Sequence, residues 1–160
     1  MIRAATEQDF EFIYGLYMHP DINPYLLYEP MERDDFKPIF ADLLTSKVLF
    51  IFGEADARLG MFKLIRLQHR TSHIAYLGGV AISPERAGSG MGAQMFREIL
   101  AFARDQQIKR VELSVATYNQ RAIRLYEKFG FQKEGVLRQY THLRQENRYI
   151  DEQLMACLLT

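Results

Sequence analysis

At 160 residues, 48% of them hydrophobic, the chain is long enough for one domain with a substantial core. Such a chain buries about two thirds of its unfolded surface without disulfide or metal staples. Its one cysteine, Cys157 in LMACLL, excludes an internal disulfide and reads as a packed core thiol, while 20 basic and 20 acidic side chains give no global attraction to nucleic acid or an anionic membrane. No stretch approaches the ~18 apolar residues of a membrane span, and MIRAATEQDF lacks the basic and apolar parts of a leader. The expectation is a single domain over residues 1–160 in a reducing cytoplasm.

Residues 2–5 predict a strand, and Thr6 with Asp9 three residues on marks a helix start, followed by Phe10, Ile13, Tyr14 and Tyr17 at helical spacing. In MHPDINPYLLYEP the prolines at 20, 24 and 30 break that helix into an irregular loop, after which FKPIFADLLTS predicts a second, weaker helix. KVLFIFGE, RLGMFKLIRLQ and HIAYLGGVAIS predict three antiparallel strands joined by ADA and HRTS. MGAQMFREILAFARDQQ puts Met95, Ile99 and Phe102 on one helical face, and RVELSV is a strand. NQRAIRLYEKFG is a helix with Ala122, Leu125, Tyr126 and Phe129 inward, terminated by Gly130. The end of the chain reads as two strands around RQEN, giving a mixed α/β domain of about seven strands and four helices.

Residues 78–96, GGVAISPERAGSGMGAQMF, hold five of the ten glycines. Glycine inside regular structure costs roughly 0.5–1 kcal/mol relative to alanine, so such a cluster points to sharp turns or a close approach to a ligand. A strand leading through this loop into a helix converges backbone N–H groups and the helix dipole on one point, which favours a phosphate. Gly88, Gly90 and Ala93 also satisfy G-x-G-x-x-G/A, but residues 83–87 intervene between strand and glycines, and the nearest downstream acid, Glu112, sits near the start of its strand rather than the end. No lysine is placed for a Walker loop. Residues 1–60 carry 5 basic and 11 acidic side chains, net −6, and residues 61–160 carry 15 and 9, net +6, consistent with a cationic substrate on one face and an anionic cofactor on the other, or with chance scatter.

About 30 residues beyond the loop stands Asn119-x-x-Ala122-x-x-Leu125-Tyr126-x-x-x-Gly130-Phe131. Together the two regions resemble the signatures of the GNAT superfamily of acyl-CoA-dependent N-acyltransferases, whose Q/R-x-x-G-x-G/A pattern falls on Ala87 to Gly92. One position departs: Ala87 stands where the family has Gln or Arg, with Arg86 one residue early. Arg86 or Ser89 could replace the lost contact. The resemblance implies the GNAT fold, a largely antiparallel sheet of about seven strands splayed between the fourth and fifth and flanked by about four helices, with Gly78 and Gly79 able to start the splay through a bulge. It implies acetyl-CoA as co-substrate and no metal; His69 and His73, four apart on strand and turn, do not make a metal site.

The resemblance also places the co-substrate on the backbone of Val80, Ala81 and Ile82, on Ser83, Arg86, Ala87, Gly88, Ser89, Gly90, Met91 and Gly92, and on Asn119 and Tyr126. A backbone N–H of the fourth strand would stabilise the oxyanion, and Tyr126 would be the general acid at the departing sulfur. Arg121, Arg124 and Lys128 form a basic stripe at helical spacing, either a phosphate contact or a solvated face. The general base stays open among Glu112, Glu134, His142 and Tyr76. The acceptor, a small amine, would lie between DINPYLLYEPMERDD and the last two strands, with Tyr25, Tyr28 and Glu29 in contact and Glu32, Asp34 and Asp35 supplying negative potential. LLYEP and the tail look like bacterial amino-acid and spermidine acetyltransferases, and related tails occur in enzymes acetylating ribosomal protein N-termini. The expected partner is a small-molecule amine rather than nucleic acid or membrane, and dimers are common in the family, so a homodimer is compatible.

Overall fold

The structure is a computed structural model and describes residues 1–160. Its strands are β1 (Ile2–Ala4), β2 (Leu49–Glu54), β3 (Ala57–Arg66), β4 (Ile74–Ile82), β5 (Arg110–Ala116), β6 (Gln132–Leu143) and β7 (Arg148–Leu158). The helices are α1 (Phe10–Tyr17), α2 (Arg33–Thr45), α3 (Met91–Asp105) and α4 (Gln120–Lys128). The seven strands form one sheet in the order β1-β2-β3-β4-β5-β7-β6, the GNAT fold expected from the motifs. Parallel pairing of β4 with β5 requires the long crossover that α3 supplies. That ladder covers only three residue pairs and ends at Tyr76 opposite Glu112, although β4 continues to Ile82 and β5 to Ala116.

The chain forms two compact units, interleaved in sequence: Met1–Ile65 with Gly78–Glu98, and Arg66–Leu77 with Ile99–Thr160. In the first, Ile13, Leu16 and Tyr17 of α1 and Phe36, Phe40 and Leu43 of α2 pack on Leu49, Ile51, Met61 and Ala81 of the strands. Phe36, Phe40 and Leu43 recur at helical spacing, and their burial holds α2 together although Pro38 lies inside it and removes one intrahelical hydrogen bond. Edge-on contact of Phe10 with Phe40, 5.2 Å between ring centroids, ties the two helices.

Thr6 and Asp9 start a short 3-10 turn ahead of α1, and Asp9 is fully buried. Its carboxylate accepts from both guanidinium nitrogens of Arg3 at 2.8 Å, from Arg58 Nε at 2.7 Å and from the Thr6 N–H at 2.8 Å. A lone capping acid thus becomes the hub joining β1, the α1 entry and β3.

In the second unit β7 lies between β5 and β6, pairing antiparallel with both. Buried Val111, Leu113 and Val115 of β5 alternate with half-buried Glu112 and Ser114, the period-two pattern of a strand covered on one face, whereas in β7 Met155, Ala156 and Cys157 are buried in succession. Burial pushes the Cys157 thiol up and its Sγ lies 3.5 Å from the Phe129 carbonyl, in keeping with a core thiol rather than a nucleophile.

Candidate active site

In the first unit β4 runs into the glycine loop. Buried Ser83 donates its N–H to the Leu59 carbonyl at 2.8 Å, which anchors the loop on β3, and Pro84 opens a single 3-10 turn ending at Arg86. Gly88 at φ +79° and Gly90 at φ +80° are left-handed, a conformation that side chains rarely adopt. A Cβ at either would meet nothing within 4 Å, so backbone conformation and an open face, not packing, require glycine there. Gln94 N–H returns to the Gly90 carbonyl at 3.2 Å, and the N–H groups of Met91, Gly92 and Ala93 ahead of it belong to the first turn, which has no intrahelical acceptors. This exposed cradle of donors at a helix start fits a pyrophosphate.

The Ser89 hydroxyl donates to the Arg86 carbonyl at 2.6 Å, beside the Ser89 N–H at 3.3 Å, so it braces the loop. Arg86, one residue before Ala87, is exposed. Gly90→Val should weaken CoA binding at least ~10-fold, because a β-branched residue is an outlier at positive φ and re-aims the donors. Titration calorimetry with CoA measures it, and unchanged affinity would remove the loop from the site.

Of the three β4 residues whose backbone the resemblance assigns to the co-substrate, Ala81 is buried and Val80 and Ile82 are half-buried. On the loop before α2, Asn23 donates from Nδ2 to the carbonyls of Tyr17 and Tyr28, both at 2.8 Å, and so fixes Tyr28 with its ring centroid 5.1 Å from that of Tyr17. Asn23 had no sequence signal beyond its place before a proline. Tyr28 and Glu29 are half-buried, Tyr25 is exposed, and Asp34 pairs with Lys37 at 2.7 Å.

In the second unit Asn119 caps α4, its Oδ1 accepting from the Ala122 N–H at 3.3 Å. Ile123 is the buried residue of this helix; Ala122, Leu125, Tyr126 and Phe129, expected inward, are half-buried and flank it, while Arg121, Arg124 and Lys128 are exposed. The Tyr126 ring tilts against Phe131 at 5.9 Å. Burial, with a smaller contribution from Tyr76, pushes the Tyr126 phenol up to about 12, so it is neutral and protonated across the physiological range.

Tyr76 places its hydroxyl 3.1 Å from Ser114 Oγ; burial pushes it up, and the charges of Tyr140 and Glu152 add to the shift. The Glu152 carboxylate accepts from the Thr141 hydroxyl. The second unit therefore gathers Tyr76, Ser114 and Tyr126, with Tyr140 and Glu152 near. Ser114 and Glu152 escaped the sequence reading because only the β5–β7 register, with Ala116 opposite Glu152, brings them to one end of the strands.

Arg110 ties up two of the proposed bases: its Nε donates to Glu112 at 2.9 Å and its terminal nitrogens to both Glu134 oxygens at 2.8 and 2.6 Å. The guanidinium holds the Glu134 carboxyl below its usual range. Both read as ion-pair partners. His142 stacks on Tyr149 with centroids 4.2 Å apart, and its Nε2 is buried without a hydrogen-bond partner. Where the β6–β7 register shifts between Leu137 and Thr141, a concavity of about 840 Å³ is lined by residues 136–140 and Asp151.

The acetyltransferase (GNAT) family model matches residues 10–131. The L-amino acid N-acetyltransferase AaaT of Escherichia coli is 27% identical over 158 residues, covering 98% of this chain and 96% of that protein. The spermidine N(1)-acetyltransferase of Vibrio cholerae is 27% identical over 143 residues, covering 85% and 80%. A solved spermidine N-acetyltransferase from Vibrio cholerae in complex with CoA and spermine superposes with a TM-score of 0.86 at 26% identity, covering 99% of this chain and 95% of that one. No helix here is long and apolar enough to cross a membrane. With a glycine cradle at the start of α3, a capped motif helix bearing a neutral tyrosine, and a family match over most of its length, the chain belongs to the GNAT family of acyl-CoA-dependent N-acetyltransferases.

Proposed function

We propose that the protein transfers the acetyl group of acetyl-CoA to the primary amine of a small molecule, an amino acid or a polyamine-like amine, by direct attack in a ternary complex. The observation that carries the reading is the cradle: left-handed Gly88 and Gly90 leading to unsatisfied N–H groups at the start of α3, with open space in front. The Arg86 guanidinium supplements it. The backbone of Val80, Ala81 and Ile82 holds the pantetheine arm and donates to the thioester oxygen as negative charge develops there. The amine nitrogen forms the new bond to the carbonyl carbon, the carbon–sulfur bond breaks, and Tyr126 supplies the proton to sulfur while the amine's proton passes to solvent or a nearby base. An α-amino group, pKa about 7.7–8.0, is already about one part in seven neutral at pH 7, so a weak base suffices.

CoA and acetyl-CoA should raise the melting temperature, whereas NAD and ATP should not. At 100 times the dissociation constant the stabilisation is about 2.7 kcal/mol, roughly 5–10 °C for a domain of this size. An equal shift from NAD would sink the co-substrate assignment. A thiol-release assay against amino acids, polyamines and peptides with free N-termini then sorts the acceptors; peptides outperforming every small amine would make a protein amine the substrate.

A further inference from the structure

Of the carboxylates in the second unit, Glu112 and Glu152 are half-buried and the rest are exposed. Arg110 neutralises Glu112, whereas no arginine or lysine pairs with Glu152. The Glu152 Oε2 accepts from the Thr141 hydroxyl, and the second oxygen has no donor within the protein and stays open to solvent. A carboxylate accepts on both oxygens, and its hydrogen bonds are strongest to a cationic donor. Glu152 thus has one oxygen fixed and one to offer.

Strand register puts this carboxylate on the same face as the hydroxyls beside Tyr126. Ala116 lies opposite Glu152 in the β5–β7 ladder, and Tyr76 lies opposite Glu112 in the β4–β5 ladder. Ser114 alternates with both Glu112 and Ala116, so Tyr76, Ser114 and Glu152 share one face of the sheet. The Tyr76 hydroxyl is 3.1 Å from Ser114 Oγ. Burial is the main cause of the raised Tyr76 phenol and the Glu152 charge adds to it, just as Tyr76 adds to the effect of burial on Tyr126. Tyr76, Ser114 and Thr141 are half-buried and Tyr140 is exposed, so this patch meets solvent.

We propose that Glu152 receives the amino group of the acetyl acceptor and takes the proton that its nitrogen loses on acyl transfer. The inference rests on the acetyltransferase reading of the glycine loop and names the base which that reading leaves open. A carboxylate is too weak a base to strip a free ammonium, so the neutral amine is the nucleophile. Its N–H donates to the open Glu152 oxygen while its lone pair forms the bond to the thioester carbon. Nitrogen then carries positive charge beside a carboxylate, an attraction that grows only as attack proceeds. As the carbon–sulfur bond breaks, nitrogen gives its proton to Glu152 and sulfur takes one from Tyr126. Glu152 returns its proton to Tyr126 through solvent, leaving a neutral amide, a neutral thiol and the protein as it began. Thr141 is a positioning residue that fixes which oxygen faces the amine. The protonated amine binds the same oxygen as an ion pair, so binding can be read apart from turnover.

The test measures thiol release from acetyl-CoA with L-phenylalanine, L-methionine, phenethylamine and spermidine, and the thermal shift that each amine gives the CoA-loaded protein. It compares wild type with Glu152→Gln, Glu152→Asp and Thr141→Val, with CoA affinity measured for each by calorimetry. Glu152→Gln should lower kcat/KM by about 100-fold for every amine turned over, while CoA affinity and the melting temperature of the free protein change little. Thr141→Val should cost about 10-fold, the low end for a hydrogen bond to a charged group. Glu152→Asp should stay more active than Glu152→Gln, because it keeps a proton acceptor although it shortens the reach. A merely structural glutamate gives the opposite order, since glutamine preserves its shape and aspartate does not.

Amines turned over by Glu152→Gln as well as by wild type, or better by Glu152→Gln than by Glu152→Asp, would overturn the proposal and leave the acetyltransferase reading intact. So would a Glu152→Gln defect matched by an equal loss of CoA affinity. If no amine is acetylated, yet amines raise the melting temperature of CoA-loaded wild type and not of Glu152→Gln, the amine site at Glu152 stands and the acetyltransferase reading falls. If CoA binds while no amine either reacts with wild type or shifts its melting point, the site at Glu152 is overturned with that reading.

Discussion

Tyr126→Phe should lower kcat by about 10- to 100-fold and leave the KM for acetyl-CoA within a few-fold. The variant removes a proton donor and almost no volume, so binding and packing are preserved. The size follows from the phenol's environment. A thiol near pKa 8.5 leaves readily, and a phenol pushed up to about 12 gives up its proton only uphill, by ~3.5 units or about 5 kcal/mol. Its contribution therefore falls at or below the low end of the 10²–10⁴ range of general acid catalysis, and consists largely of a hydrogen bond to the departing sulfur. The raised value also fixes the pH behaviour. The group is protonated, and competent as a donor, at all pH below about 12, so this residue causes no fall in rate between pH 7 and 10. Single-turnover measurements isolate the chemical step from product release. An unchanged chemical rate in the variant would leave Tyr126 as a packing residue against Phe131.

Asp9→Asn should destabilise the protein by about 2–4 kcal/mol, or roughly 5–15 °C in melting temperature, without touching the loop or α4. Burial alone would push the Asp9 carboxyl up, but the Arg3 and Arg58 guanidiniums and the Thr6 N–H outweigh it and hold the group well below the usual carboxylate range. An amide keeps the shape and cannot accept from all of these donors. Arg3 and Arg58 retain partial access to water, at 48% and 38% side-chain exposure, which limits the loss. Because the folded value is depressed, the stabilisation is fully present above the unfolded pKa of about 3.9 and is lost as pH falls below it. The gap between wild type and variant should therefore be constant from pH 8 to 5 and narrow on further acidification, as read by chemical denaturation at each pH. A gap that widens toward low pH would show that Asp9 is not ionised in the native state.

Several of these features are legible in the sequence by itself. The glycines at 88 and 90, the Asn119 cap and the helix bearing Tyr126 are written in short stretches, because left-handed turns, caps and amphipathic periodicity are local properties of the backbone. Strand and helix order came from the same kind of signal, and together with the two motifs it indicated the fold. Tertiary structure alone decided which strand lies beside which. Nothing in the tail says that β7 inserts between β5 and β6, since register and neighbour choice are settled by burial over long sequence separation. That choice gathers Ser114 and Glu152 toward Tyr76, and the chain fold sends Arg110 to Glu112 and Glu134, removing two apparent bases. Lys63 shows the limit most sharply. Nothing in GMFKLIR sets Lys63 apart, and only α1 and the loop carrying Tyr28, folded over that face of the sheet, bury its amine near the unpartnered Tyr17 hydroxyl. A charge gains its meaning from what surrounds it, and those surroundings come from residues 17, 28 and 79, far apart in the chain.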